Sequence, residues 1–511
     1  MTDLKKLNRR QFLGMTGSAF AFTVVPRHVL GGLNYVAPSD KITLGLIGCG
    51  TQQLRELTSL ITDKRIRVVS VCDPVKHPTG YLDWSPYGIR DSIRGLLGDK
   101  KWGEDLPGIP GGRDTGKEVV DRYYSGQGQG QGQGQSAGNK GCTAYADFRE
   151  MLDSEPDMTA VKIITPDHQH AVQAIAAMKK GKHVIMHKPV ANRVYEARVT
   201  VETARQTGLT THLLAWSYRS QYDVVKKWID EGAIGTLREV HNWSYRPVWP
   251  QWPENPSEPK PVPDGFDWDL WLGPVPDRPY HPDFTHNVYR GWYDFGAGSV
   301  ADMGIYSLWP LFRTFGINTP PVSIEALGTT TNTVTPLNTC QMVNNTVSFP
   351  HSSILRWKFE PETGAPGLDL FWYDGGMKPH NPPEMEADNL ELPREGMLFA
   401  GDEGKIIGGF HCENPRIIPR EKMISFTGSE DPPEDRIERG TDVWINAVLK
   451  GEQSPGSFQD VEVCNETTLL AAVALRAGRK ILYDPESMVV KNIPGADRFL
   501  YRGEYRKGWE V

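Results

Sequence analysis

From residue 41 onward, short apolar runs alternate with segments of helical spacing. Ile42–Ile47, Ile66–Cys72, Met158–Thr165, His183–Met186 and Leu209–Leu214 have strand length and are dominated by apolar residues. Thr51–Ile61, His168–Lys180 and Val194–Thr207 repeat apolar positions at intervals of three and four, the period of a helix with one buried face. Strands separated by helices predict a parallel sheet covered on both sides. The stretch from Pro74 to Gly141 interrupts this alternation. It contains GQGQGQGQGQ at 126–135, a run with nothing to bury, read as a flexible surface insertion without chemistry.

After about residue 213 the pattern changes. Leu237–Tyr245, Val322–Thr329, Asn345–Phe349, Ser353–Phe359, Leu368–Tyr373 and Lys405–Gly409 read as strands with turn residues between them. Such a series predicts one large, open, mainly antiparallel sheet. Asp442–Leu449 and Asp460–Arg479 are helical, and Pro250 to Pro282, rich in proline and tryptophan, reads as an ordered arm.

Composition adds a few constraints. A chain of 511 residues, 39% hydrophobic and 23% charged, has room for two or three domains. A net charge of −7 argues against nucleic acid as a partner. Tryptophans cluster from Trp243 to Trp309, through Trp249, Trp252, Trp268, Trp271 and Trp292, and their faces suit sugar rings as well as a core. Cys49, Cys72, Cys142, Cys340, Cys412 and Cys464 form no C-x-x-C pair, so packed free thiols are expected and no metal site. Asn8-Arg9-Arg10-Gln11-Phe12-Leu13 is a twin-arginine pattern, followed by an apolar run to Val25 and a small-residue cleavage site at Ala19-Phe20-Ala21. Residues 1–40 are therefore read as a signal for export of the folded protein plus a linker. The expected location is periplasmic, with no transmembrane anchor in the mature form.

Four motifs carry chemistry. GLIGCGTQQL, residues 45–54, joins the first strand to the first helix. Gly48 and Gly50 fit the first two positions of a dinucleotide fingerprint, whose third glycine is here Gln53. Asp73 closes the second strand, where a carboxylate holds a ribose 2′-hydroxyl and repels a 2′-phosphate, favouring NAD over NADP; Lys76 keeps NADP open. Thr165-Pro166-Asp167-His168-Gln169-His170 ends a later strand, with Asp167 expected to cap the following helix. Lys188, in His187-Lys188-Pro189-Val190, stands at another strand's carboxyl end, held extended by the proline. In Arg290-Gly-Trp-Tyr-Asp-Phe-Gly-Ala-Gly-Ser-Val-Ala-Asp302-Met-Gly-Ile-Tyr306, a glycine-rich turn enters a helix with Asp302 and Tyr306 on one face.

The segments GLIGCG, TPDHQH, HKPV and GAGSVADMGIY occur in the order seen in the Gfo/Idh/MocA oxidoreductases, and from about residue 40 the chain resembles that family. It is most similar to an exported branch with a twin-arginine signal and the segments WSYRPVWPQ (243–251) and DWDLWLGP (267–274). The resemblance implies an α/β fold: a Rossmann domain over 41–212 and a substrate-binding and oligomerisation domain over 213–511, α+β with a large open sheet. It also implies a homo-oligomer, dimer or tetramer, and a tightly bound NAD. The cofactor set expected is Gly48, Cys49, Gly50, Thr51, Gln52, Asp73, Thr165, Pro166, His170, His187 and Lys188. Lys188, Asp302 and Tyr306 are the expected catalytic residues, with Tyr218, Arg219, Arg246 and Trp249 on the substrate rim.

Two departures matter. The family's usual Glu-Lys-Pro is His187-Lys188-Pro189, and its usual Asp-x-x-x-His is Asp302-x-x-x-Tyr306. Tyr306 would need its pKa lowered by Lys188 to act as a base, and Asp302, His187 and His286 are the next candidates. The implied function is oxidation of a secondary hydroxyl of a sugar or glycoside, with C3 of a glycoside one target. The alternatives are a glycosidase or lyase that oxidises transiently and eliminates, and a non-catalytic sugar or nucleotide sensor.

Overall fold

The computed structural model describes residues 41–126, 141–247, 249–360 and 367–511. The twin-arginine segment and the Gly/Gln run beyond Gly126 lie outside the described residues.

The first sheet has six parallel strands, β1 (Ile42–Ile47), β2 (Ile66–Cys72), β3 (Thr143–Tyr145), β4 (Ala160–Ile163), β5 (His183–Met186) and β6 (Thr211–Leu213). Their order is β3-β2-β1-β4-β5-β6. The chain therefore leaves β3 and re-enters on the other side of β1, and the carboxyl ends of β1 and β4 diverge into a crevice. β4 is buried along its length, as a strand covered on both faces must be. The stretch from Pro74 to Gly141 differs from expectation. It contains the helices Gly88–Leu97 and Arg113–Tyr124, whose Ile89, Ile93, Leu97, Val119 and Val120 join Leu44, Val68 and Val71 in one buried cluster, and it leads into β3. Both helices precede the repetitive run.

The second half supplies β7 (Ser217–Arg219), β8 (Leu237–Trp243), β9 (Ser323–Gly328), β10 (Thr331–Val334), β11 (Cys340–Val343), β12 (Ser353–Phe359), β13 (Leu368–Tyr373), β14 (Gly396–Gly401), β15 (Lys405–Gly408), β16 (Arg416–Ile418), β17 (Ile437–Arg439), β18 (Ile481–Asp484) and β19 (Val489–Val490). Nine of these form one sheet, ordered β16-β15-β14-β8-β13-β12-β9-β18-β19, in which β8 and β13 run parallel and all other neighbours antiparallel. β10–β11 and β7–β17 are separate two-stranded pairs. Asn345–Phe349 is not a strand; Ser348 makes an isolated bridge to Trp292.

Alternation along β12 sets its two faces. Leu355, Trp357 and Phe359 are buried, and Arg356 and Lys358 are exposed. The buried face meets the helices Ile305–Phe315 and Phe458–Ala477, and the Trp357 indole donates to the Thr467 carbonyl at 2.9 Å. Trp309, Trp357, Trp372 and Phe399 join Val172 and Met186 of the first domain in one continuous core. The other face presents Arg356, Phe371 and His241 in register, with the His241 and Phe371 rings stacked at 4.6 Å. Most of the clustered tryptophans are core: Trp243, Trp292 and Trp309 are fully buried.

Candidate functional site

A cavity of 860 Å³ opens at the carboxyl edge of the parallel sheet. Its cofactor end is built by the first turn. Gly48 has φ +88°, and a Cβ there would strike the Ile164 carbonyl. The helix Thr51–Leu60 starts at Gly50 without a side-chain cap, so the amides of its first turn are open to an anion. Gly48, Gly50, Thr51, Gln52 and Asp73 all line the cavity. Asp73 accepts from the Cys49 amide at 2.6 Å and the Val75 amide at 2.8 Å, and burial raises its pKa to about 6. A free helix N-terminus, a glycine with no room for a side chain and a carboxylate at the end of β2 fit a dinucleotide.

Residues of the supposed surface insertion border this end. Tyr81, Leu82, Asp83 and Trp84 line the cavity, and the Tyr81 ring lies 3.4 Å from where a Cβ on Gly50 would stand. Asp83 pairs with Arg55 of the helix.

At the far end of the cavity lies a buried charge centre. Lys188 and Asp302 form an ion pair, and Arg290 Nε stands 3.1 Å from the same Asp302 oxygen. The surrounding fold fixes both partners. The Val190 amide donates to Asn465 Oδ1 of the helix Phe458–Ala477 at 3.0 Å, and Asn192 donates to the Asp294 carbonyl at 3.0 Å, which ties the lysine loop to the glycine-rich turn. Asp302 sits in a π-helical turn, Val300–Gly304, that leads into Ile305–Phe315, and such turns often mark functional positions. Asp167 does not cap its own helix. Its carboxylate accepts from Tyr289 Oη at 3.2 Å and the Ala297 amide at 3.1 Å, and burial raises its pKa to about 6, against the nearby Arg290 charge.

Tyr306 lines the cavity, with Lys188 Nζ 5.2 Å from its ring centre. The expected lowering of its pKa does not occur. Burial pushes the phenol well up, and the charges of Asp302 and Glu56 push it further. The Lys188 charge is spent on Asp302, so a phenolate at neutral pH has no support. Burial would raise the Asp302 carboxyl, but Lys188 and Arg290 outweigh it and hold it below the ordinary range.

A second charge cluster, of which only Gln52 and His187 belonged to the expected set, occupies the wall beside His187. Lys162, in the middle of β4, is 1% exposed and donates to Glu56 Oε2 at 2.6 Å. Glu56 Oε1 accepts from Gln52 at 2.7 Å and faces His187 Nε2 at 3.5 Å. All four residues line the cavity. A lysine inside the apolar run Ala160–Ile163 was the available signal, since a buried cation needs a partner.

The structure brings Thr165, Pro166, His187, Lys188, Arg219, Arg246, Trp249, Asp302 and Tyr306 to the same cavity as the glycine turn. Three expected residues lie elsewhere. Cys49 is fully buried and its amide is committed to Asp73. His170 is fully buried, its ring nitrogens 2.6 Å from the Pro189 carbonyl and 2.9 Å from that of Thr165, so it clamps two strand ends together. Tyr218 turns its hydroxyl to Asp223 at 2.7 Å, away from the cavity. Arg219 and Arg246 reach the rim already paired, with Asp435 and Glu395 at 3.0 Å each.

Comparison with known proteins fits this geometry. Residues 119–214 match the NAD-binding Rossmann fold of the Gfo/Idh/MocA oxidoreductase family, and residues 220–344 match that family's C-terminal alpha/beta domain. Levoglucosan dehydrogenase of Pseudarthrobacter phenanthrenivorans is 37% identical over 112 residues, 20% of this chain and 28% of that protein. The 1,5-anhydro-D-fructose reductase of Ensifer adhaerens is 37% identical over 91 residues, 17% of this chain and 26% of that protein. The chain thus spans little more than a quarter of the length of these curated relatives. The WlbA dehydrogenase from Bordetella pertussis, solved with NADH and UDP-GlcNAcA, aligns over 87% of this chain and 99% of its own, with TM-score 0.49 and 14% identity. The chain carries, in order, segments of both the NAD-binding and the C-terminal domain of the Gfo/Idh/MocA oxidoreductases.

Proposed function

We propose that this protein is an exported, periplasmic NAD-dependent oxidoreductase that oxidises a secondary hydroxyl of a sugar or glycoside. The observation that carries the reading is the single cavity joining the Gly48–Asp73 turn to the Lys188–Asp302–Tyr306 centre. A bound nicotinamide would supply the hydride acceptor. Gly48, Gly50, Thr51 and Gln52 would hold its pyrophosphate at the helix N-terminus, and Asp73 the adenosine ribose. Asp302 fixes the Lys188 ammonium, whose remaining N–H groups would donate to the substrate oxygen. Tyr306, kept protonated by burial, would donate a second hydrogen bond. Arg219, Arg246 and Trp249 form the rim against which a sugar ring would settle. The twin-arginine pattern at Arg9–Arg10 supports export with the cofactor already bound, and the face of the nine-stranded sheet around Phe371 supports a homo-oligomer.

The test is to purify the exported protein, extract and identify its nucleotide, and follow nicotinamide absorbance with a panel of sugars and glycosides. Release of the aglycone without net reduction would favour the elimination chemistry. Bound NAD with no change on any sugar would favour a sensor, and no nicotinamide nucleotide bound or extracted would end the reading.

A further inference from the structure

The proposed oxidation releases one proton for each hydroxyl oxidised, and the Lys188 centre has no evident place for it. Lys188 is engaged in its ion pair with Asp302, whose charge opposes the lowering that burial imposes on the lysine, Asp302 already faces both Lys188 and Arg290, and Tyr306 is a phenol held protonated. Resting on the oxidoreductase reading, we propose that His187 is the base that accepts this proton, oriented by Glu56, which Lys162 holds in place.

Four observations carry the assignment. His187 adjoins Lys188 at the carboxyl end of β5, and its side chain lines the same cavity as Lys188, Asp302 and Tyr306. Its Nε2 faces Glu56 Oε1 at 3.5 Å, an orienting carboxylate behind an imidazole. Glu56 is anchored at both oxygens, by Lys162 at 2.6 Å and Gln52 at 2.7 Å, so it cannot swing to another partner. The two clusters also lie within each other's electrostatic reach: the Lys188 and Arg290 charges act on His187, and the Glu56 charge acts on Tyr306.

The step balances simply. The O–H bond of the alcohol would break and its proton pass to the His187 imidazole, the C–O bond would become a carbonyl, and a bound nicotinamide would supply the acceptor for the hydride that leaves the carbon. The proton then returns to water through the cavity. The charged and titratable groups around His187 are Glu56 and Lys162 on one side, Lys188, Arg290 and Asp302 on the other, and the buried imidazole of His170. Burial, Lys188 and Arg290 lower its pKa, and Glu56 opposes them. A base of this kind is neutral and ready at neutral pH.

The experiment uses the full chain with NAD and whichever sugar it oxidises. The turnover–pH profile of the wild type should fall on the acid side, below the ordinary histidine range, and reach a plateau by neutrality. His187→Gln should lose about 10²–10⁴-fold in turnover, the usual share of general acid–base catalysis. It should also lose the acid limb, with turnover compared at saturating NAD so that any change in NAD affinity is read separately by fluorescence titration. A readout independent of turnover is the ¹⁵N-histidine NMR titration of His187, assigned by its disappearance in His187→Gln. Its midpoint should move down in Glu56→Gln, and also in Glu56→Gln/Lys162→Met, which leaves no unpaired buried cation. A rate that keeps rising into alkaline pH with His187→Gln near wild type would assign the base to Tyr306 and overturn the proposal. An unmoved His187 titration in both Glu56 variants would overturn it as well. If the wild type binds NAD but oxidises no alcohol, the oxidoreductase reading fails and the proposal fails with it.

Discussion

The two charged clusters on the cavity wall contain similar groups and are built for different work. Lys188, Arg290 and Asp302 form a closed centre: Lys188 is 4% exposed and Asp302 5%, and a π-helical turn and a strand end hold them. Lys162, Glu56 and His187 form a graded one. The lysine is sealed in β4, while the Glu56 side chain is 25% exposed and that of His187 12%, and both border the cavity. Burial on both sides fixes a charge and its geometry. Burial on one side leaves a group able to change charge while its partners stay put. Position relative to water therefore decides which cluster orients a substrate and which can exchange a proton.

The comparison is broken most severely at Asp302. Asp302→Ala leaves two cations facing each other in a dry site, and breaking a buried pair in this way costs about 3–5 kcal/mol. Urea denaturation of the purified protein should read that loss. Lys188→Ala should in turn bring turnover below detection while bound NAD survives, measured by nucleotide extraction. A cost at Asp302 under about 1 kcal/mol would mean that the centre is wetter than its burial indicates.

The graded cluster should tolerate more. In Lys162→Met, Glu56 keeps its hydrogen bond from Gln52 and part of its surface in water, so the cost should stay under about 2 kcal/mol. Replacing both partners by apolar residues, Lys162→Met/Glu56→Leu, should bring stability back to within about 1 kcal/mol of wild type, because neither charge is left stranded. Denaturation of the single and double variants under one set of conditions decides it.

The same contrast explains what the sequence made legible. β1, β2, β5, β12 and β13 were readable to the residue because a strand buried on one or both faces writes its period directly into the chain. The closed centre was readable because its residues lie in short motifs of recognisable order. Arg290 stood at the head of one such motif and still received no role. Of the graded cluster only His187 was readable, and its partners Glu56 and Lys162 were not. Glu56, Lys162 and His187 come from a helix and two strands, and only the stacking of β4 and β5 beneath the helix brings them together. Nor was the commitment of the Cys49 amide to Asp73, or of both His170 nitrogens to carbonyls, since neither depends on local spacing.

A smaller effect separates the cofactor end from both clusters. Burial raises Asp73 to about 6, above the ordinary aspartate value near 3.9. In the free protein the native state therefore takes up a proton before the unfolded chain does. The cost of burying this charge is fully present above pH 6 and is relieved as the pH falls through that value. Cofactor affinity should move the other way, because a ribose hydroxyl needs the ionised acceptor. NAD binding by calorimetry should weaken by as much as about tenfold per pH unit below 6. Asp73→Asn should bind more weakly at neutral pH and show no such slope. A wild-type affinity unchanged from pH 7 to pH 5 would place the ribose elsewhere.

The mildest prediction concerns the strap that runs from the end of β2 over the glycine turn. Val75 bridges Phe266, Tyr81 covers Gly50 and meets the His286 ring at a tilt with centroids 4.1 Å apart, and Asp83 closes the strap onto Arg55 of the helix Thr51–Leu60. The Asp83 side chain is 3% exposed but that of Arg55 is 36% exposed, so solvent screens the pair and its contribution belongs with surface ion pairs, about 0.2–1 kcal/mol. A dinucleotide bound at Gly50 and Thr51 would meet the Tyr81 ring, which lies 3.4 Å from where a Cβ on Gly50 would stand. Opening the latch should therefore act on departure more than on fit. Asp83→Asn should speed NADH release by about two- to fivefold in stopped-flow fluorescence, the factor that such an energy sets, and leave the turnover–pH profile unchanged. If release is unaffected while Tyr81→Ala accelerates it, the aromatic contact alone holds the strap. If neither variant changes release, the cofactor leaves by another side of the cavity.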